Sequence, residues 1–592
     1  MTMRKTRLLA WVCAMFLAAS AVAQEAAYVA VPGFVPPAPG EHPRLLFRKA
    51  DIPALRKKAA TPEGQQMVAR LKLVLGGGEA LAAGFSKDAP VNNANEAEIR
   101  NEPLGTFTMS HPAGFGMLYV LTGEKRYADL AREGVDRIFV GQVDRDSRYN
   151  WTTPGTGFRL SFVLQGICLA YDLCYDAWPA EYRQKVAQAV INMKQKKVDK
   201  NQFYALEDLA KAGGYPPGSN HFGAYLLGPG LAALTFMGDP GSDDKRLAAV
   251  LKTVEANLNR VLGEGFGDHG WFAEGTSCGR IAANNGVIPL MQSLKVAAGR
   301  DYISPRPHGR YTVLRLMHEI VPTGGGFTEK AGKQIPVPSR PLIPHRGDYG
   351  DNELYKRPIL SHMGDFAQGM GAVLPREAQA MAWIYDQFVE PGTEKTWNTD
   401  VYPHLAVYAL VNWPDKMLDP DEVLPHVIAD DRHGYYVARN RWQDKDDVVV
   451  TTLLKRGPGG YKSGAVRGGT MVWGLGEKLS FGGLKGATTH FRAGKDGSME
   501  LADAGGSALV VDFSSASGAT AVIAATGEIK AGSGKMSKAA TLDVGGTRVT
   551  VLTLSAGEHP VPAVAGDTIT VGKQTIQFQG GKLTLGQFAP AQ

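Results

Sequence analysis

The chain has 592 residues, 44% hydrophobic and 21% charged, with a formal net charge of +6. That length gives room for two to four domains with full cores, the apolar fraction excludes a disordered chain, and four cysteines exclude a disulfide scaffold. No Cys/His cluster has zinc-finger spacing and no glycine run matches a P-loop, which leaves a large globular protein with the character of an enzyme.

Residues 1–23 read as a cleavable signal peptide. Arg4, Lys5 and Arg7 precede an apolar run from Leu8 to Ala19, followed by the small residues Ser20-Ala21-Val22-Ala23. The run is shorter than the roughly 20 residues that cross a bilayer, so the expected location is periplasmic or secreted, with no membrane attachment after cleavage. Without this segment the formal charge falls from +6 to +3, too little to argue for nucleic acid but no obstacle to an anionic substrate. Of the remaining cysteines, Cys168, Cys174 and Cys278, an odd number, at least one is expected to be a buried thiol.

A short extension, 24–43, leads into a long helical region, 44–412. Apolar residues recur at i, i+3 and i+4 in Ile52–Leu75, Ala113–Ile138, Phe158–Cys174, Lys185–Met193, Phe222–Phe236, Lys245–Leu262, Ile281–Val296 and Ala378–Phe388. Many successive helices joined by loops of unequal length predict an α/α toroid, an incomplete barrel of helical hairpins with its long loops at one mouth. A Pro- and Asp-rich linker spans 413–432. From 433 to 592 short β-branched runs alternate with Gly-rich turns, which predicts an antiparallel β-sandwich.

Several strings within this layout resemble the heparinase II/III-like polysaccharide lyases, a family that includes alginate and oligoalginate lyases. They are His42-Pro-Arg-Leu-Leu-Phe47, Asp51-Ile-Pro-Ala-Leu-Arg56, Leu121-Thr-Gly-Glu-Lys-Arg-Tyr127, Ala170-Tyr-Asp-Leu-Cys-Tyr-Asp176 and Ser219-Asn-His221. The resemblance implies that Asn220 neutralises a substrate carboxylate while His221 acts at C5 of a uronic acid. Read from the residues alone, Asn220 caps a helix and His221 is an ordinary core or surface histidine.

A second constellation is the glycine-rich loop from Gly267 to Arg280. Trp271 is a candidate for stacking on a sugar, Glu274 for orienting a neighbour or acting as an acid, and Arg280 for pairing with a uronate or with Glu274. Where the family carries a tyrosine, this chain has Thr276, Ser277 and Cys278. A third loop, Pro344–Asp351, offers His345 and Arg346 for binding and Tyr349 for the missing phenol. Arg159 is a further binding candidate. The sandwich lacks the family's histidine string; the comparable stretch offers Tyr461, so no zinc site is carried over and no cofactor is expected.

β-Elimination next to a uronate needs a base near neutral pKa, donors for the charge that spreads onto the carboxylate, and an acid for the leaving oxygen. The expected catalytic set is therefore His221, Asn220 and either Tyr349 or Tyr461, acting on an anionic poly- or oligosaccharide. Two other readings stand beside it. One is a glycoside hydrolase pairing Glu274 with Asp268, Asp348 or Asp351; the other is a glycan-binding protein without catalysis.

Overall fold

The computed structural model describes residues 28–585 except 85–90, 93–98, 101–102, 197–201, 321–325, 331–332, 338–362, 392–394, 445, 455–468, 475–476, 482–483, 485–487, 495–496, 504–506, 513–519, 527–528, 531–536 and 556. A helical toroid comes first and antiparallel sheets follow.

Among the described residues six helical stretches close into an inner ring. They are His111–Thr122, Gly157–Cys174, Leu227–Phe236 (continuing Asn220–Tyr225), Ile288–Ala298 (continuing Thr276–Ala282), Met363–Met370 and Pro403–Asn412. Each packs on the next, and the last packs back on the first. The outer helices include Pro62–Val74, Lys125–Phe139, Ala180–Ile191, Asp244–Arg260 and Pro375–Ile384.

Sequence separates the two layers. Lys125–Phe139 buries Tyr127, Ala128, Ala131, Gly134, Val135 and Ile138 on one stripe and leaves its charges outside. Gly157–Cys174 is apolar all round because neighbours surround it, and it is long and apolar enough to cross a membrane, yet it lies inside the fold. Arg159 is its sole residue that is not buried. The periodic run Ala113–Ile138 is two helices, because Gly123 turns left-handed at φ 77° and ends the first. Cys168, Cys174 and Cys278 are all fully buried in the helical core.

Two of the sequence strings meet inside the toroid. His42 is 1% exposed and sits between two carboxylates, Nδ1 at 2.6 Å from Asp172 and Nε2 at 3.0 Å from Asp239. Asp172 also accepts the backbone N–H groups of Arg44 and Leu45 at 2.9 and 3.0 Å. Charges this deeply buried persist only when paired on all sides, so these strings record how the N-terminal arm is clamped to the ring.

The β region is layered. The first sheet runs Ile529–Lys530, Glu477–Phe481, Gly469–Gly474, Val449–Leu453, Tyr435–Arg439, Val427–Asp430, so its outermost strand lies inside the stretch read as linker. The second runs Thr488–Ala493, Met499–Asp503, Ala508–Asp512, Thr520–Ala525, Thr547–Ser555, Ser537–Val544. A third, four-stranded sheet spans Ala563–Ala565 to Lys582–Leu585. In the first sheet Tyr435, Val437, Val449 and Leu453 join the toroid core, while Tyr436, Ala438, Val450 and Val472 face the second sheet. The second sheet is covered twice: Leu509, Val511, Ala521 and Ile523 meet the first, whereas Val510, Val522, Ala524 and Val551 meet Ile569, Ile576 and Phe578 of the third. That is why Ala508–Asp512 and the run after Thr520 are apolar at successive positions and do not alternate.

One arginine fastens the sheets to the toroid. Arg439, fully buried, donates to the carbonyls of Met317, His318 and Ile320 at 3.2, 3.2 and 3.0 Å and to Asp447 at 3.0 Å. Trp442 Nε1 donates to the Met317 carbonyl at 2.8 Å.

Candidate active site

The inner helices leave through short turns, as between Thr122 and Lys125 or Met370 and Pro375, and are entered through long connections such as Phe139 to Gly157 and Ile191 to Asn220. Their first turns therefore gather at one rim, and so do the polar residues of those connections.

Asn220–Tyr225 opens one of these stretches. Ser219 Oγ accepts the His221 N–H at 3.3 Å, and Glu274 accepts the Asn220 N–H at 2.9 Å. Two backbone donors of the first turn are thus satisfied by side chains. Asn220 is 7% exposed and His221 only partly buried. The imidazole stacks on Tyr215 (centroids 4.5 Å apart, planes 26° apart) and meets Phe158 edge to face at 4.9 Å. The Arg159 guanidinium lies over Phe158 at 4.5 Å, donates to Thr156 Oγ1 at 3.2 Å and comes within 3.7 Å of Asp146. A base candidate and a cation thus flank one phenylalanine.

Tyr215 is presented by an unusual backbone. Ala212, Gly213 and Gly214 before it are all left-handed, at φ 56°, 60° and 79°, and Pro216 and Pro217 follow. A buried alanine in that region is costly, and such strain clusters at functional sites.

Next to Arg159 a polar pocket of about 140 Å³ opens between the inner helices, with Asp146, Tyr149, Arg280, Asp365, Tyr402 and His404 in its wall. Asp365 accepts from the Arg280 guanidinium at 2.8 and 2.9 Å and from the Asn284 amide at 3.0 Å. Arg148 grips Asp146 through both oxygens, at 2.6 and 2.5 Å. Behind them Asp144 is fully buried and accepts the Met109 N–H at 2.7 Å; burial pushes its carboxyl up to about 7. Burial likewise raises the Tyr149 phenol to about 12.

Several sequence expectations change here. Trp271 is 2% exposed, stacked on Tyr435 at 4.3 Å with the Arg315 guanidinium over its ring, so it packs the toroid–sheet junction and offers no face to a sugar. Glu274 is 0% exposed and holds the Asn220 turn, which is the neighbour-orienting one of its alternatives. Arg280 pairs with Asp365, not with Glu274. Asp268 lies at the junction, 3.5 Å from His308 and accepting the Arg432 N–H at 3.1 Å. Asp430 accepts the N–H groups of His269, Trp271 and His433 at 3.1, 2.9 and 3.1 Å, which ties the 267–271 loop to the first sheet. His345, Arg346, Asp348, Tyr349, Asp351 and Tyr461 lie outside the described residues. Among the described residues no group of three or more His, Cys, Asp or Glu side chains is arranged to hold a metal ion.

Tyr215, Asp146, Asp365 and Tyr402 were not singled out from the sequence. Tyr215 carried a signal, Gly-Gly-Tyr-Pro-Pro five residues before Asn220; the others become partners only through the ring's closure.

No protein-family model matches the sequence, and no curated protein matches it. Among solved structures the chain is similar to a heparinase III (TM-score 0.40, 9% identity, 88% of this chain and 90% of that one). It is also similar to a mutant of the heparan sulfate lyase HepC from Pedobacter heparinus (0.41, 11%, 81% and 81%). A third is the Streptomyces coelicolor A3 chondroitin AC lyase in complex with chondroitin sulphate (0.40, 12%, 90% and 76%).

Proposed function

We propose that the chain is an exported lyase that cleaves a uronic-acid-containing poly- or oligosaccharide by β-elimination. The observation that carries this reading is the arrangement around His221: a partly exposed imidazole stacked on a phenol, with Asn220 preceding it on the same turn and Arg159 across Phe158. His221 takes the C5 proton, the imidazole being the usual side chain for general-base work. The Asn220 amide and the Arg159 guanidinium hold the carboxylate, where charge accumulates as the C5–H bond breaks. The C4–O bond then breaks, C4 and C5 become doubly bonded, and the leaving oxygen takes a proton. Tyr215 is the described phenol best suited to deliver it. Hydrolysis by paired carboxylates is disfavoured because Glu274 is sealed from solvent and Asp146 and Asp365 are each gripped by an arginine.

The test is incubation with alginate, glucuronan, pectate and glycosaminoglycans, following ultraviolet absorbance of a 4,5-unsaturated uronate. A lyase generates that chromophore. New reducing ends without it would establish hydrolysis, and binding with neither would leave a glycan-binding protein.

A further inference from the structure

Tyr225 ends the short stretch that Asn220 begins, one helical turn after His221, and is 3% exposed. Its hydroxyl accepts the Gly157 N–H at 3.1 Å, and its backbone carbonyl accepts from Ser161 Oγ at 2.9 Å. Both partners belong to the inner helix that carries Phe158 and Arg159. That helix has no side-chain cap of its own at Thr156, so the remote phenol satisfies the N–H of its first residue. The fit leaves no slack. A methyl group at Gly157 would lie 2.2 Å from Tyr225 Cε1, and one at Gly213 would lie 3.0 Å from the same atom. The ring is also 5.8 Å from that of Tyr215 and 6.4 Å from that of His221, centroid to centroid. A further phenol, Tyr204, approaches its hydroxyl at 3.5 Å.

Three segments therefore converge on one side chain: the turn with Asn220 and His221, the helix start with Phe158 and Arg159, and the left-handed run that presents Tyr215. We infer that Tyr225 is a positioning residue, which sets the distance between the proposed base His221 and the carboxylate-binding Arg159 and keeps Tyr215 against the imidazole. It does not itself react, because it is sealed from solvent and burial raises its phenol further from neutrality. Placement matters here, since a misplacement of about 1 Å can cost roughly 10²-fold in rate. The role in turnover rests on the lyase reading; the registration of the three segments stands without it.

Tyr225→Phe keeps the ring and removes the acceptor, whereas Tyr204→Phe removes the neighbouring hydroxyl and leaves the Gly157 bond. Two measurements on the full chain read the outcome. Unsaturated-product formation from the same glycans gives kcat and KM. Nuclear magnetic resonance of protein carrying isotope-labelled histidine gives the His221 ring signal, assigned by its loss in His221→Ala. Tyr225→Phe should lower kcat/KM by about ten- to a hundredfold, with kcat falling and KM rising, because both the base and the carboxylate-binding cation shift. Its His221 signal should move as the rings around the imidazole are displaced. Tyr204→Phe loses only a contact at the limit of hydrogen bonding, so its kinetics and its His221 signal should match wild type. A wild-type chain that makes no unsaturated product overturns the lyase reading, and the His221 signal then decides the registration by itself. An unmoved signal in Tyr225→Phe, wild-type kinetics for that variant of an active chain, or an equal loss in Tyr204→Phe would overturn the assignment. Lowered thermal stability with neither change would likewise reduce Tyr225 to a packing residue.

Discussion

The Glu274 carboxylate accepts the backbone N–H of Asn220 at 2.9 Å, although 54 residues separate them. The loop that ends at Glu274 thereby fixes the first turn of the stretch that carries His221. Glu274→Ala leaves a buried N–H unpaired, which costs about 1–3 kcal/mol. Urea denaturation should show that loss, and turnover should fall with it because the imidazole is no longer held. Glu274→Gln, which retains an acceptor, should recover most of both.

His221→Ala removes the proposed base from a partly exposed position, so the fold should survive. Turnover should drop by about 10²–10⁴, the usual contribution of a positioned acid or base. Tyr215→Phe keeps the ring stack and removes only the hydroxyl. Its defect should lie in kcat, with KM nearly unchanged, if the phenol serves the leaving oxygen. Wild-type rates in either variant, at normal thermal stability, would remove that residue from the mechanism.

Asp144 gives a pH signature. Burial raises its carboxyl to about 7, above the roughly 3.9 of an unfolded chain. Between those values the folded protein holds a proton that the unfolded chain has released, so the contribution of this group to stability is complete below about pH 4 and fades as pH rises through 7. Asp144→Asn cannot ionise. Denaturation midpoints of wild type and variant, compared from pH 4 to pH 8, should diverge in favour of the variant as pH increases; parallel curves would contradict the assignment.

Arg439 is the fastening between toroid and sheets. Arg439→Met leaves Asp447 buried without its nearest cation and strips three carbonyls of their donor. Breaking one partner of a buried pair costs about 3–5 kcal/mol. Calorimetry should show the sheets melting ahead of the toroid, where the wild type melts with the two more closely coupled.

The helix-then-sheet order was legible because 3.6-residue and short β-branched patterns differ over long windows. Legibility stopped where partners are remote. Trp271 in a glycine-rich loop reads equally as a sugar platform or an interface plug, and only Tyr435, 164 residues on, decides it. Arg280 finds Asp365 only once the ring closes. Asn220 and His221 were visible as a pair, and Tyr215 stood close enough to be noticed, but its stacking depends on three left-handed residues, one of them an alanine that no turn rule would favour.

The middle sheet has no outside of its own. Because its two faces answer to different neighbours, Ile569, Ile576 and Phe578 act as a lid on what would otherwise be a bare hydrocarbon wall. A chain ending before residue 560 would still carry every proposed reacting group, yet it would display that wall to solvent and be prone to self-association, so the tail guards solubility at a distance from any chemistry.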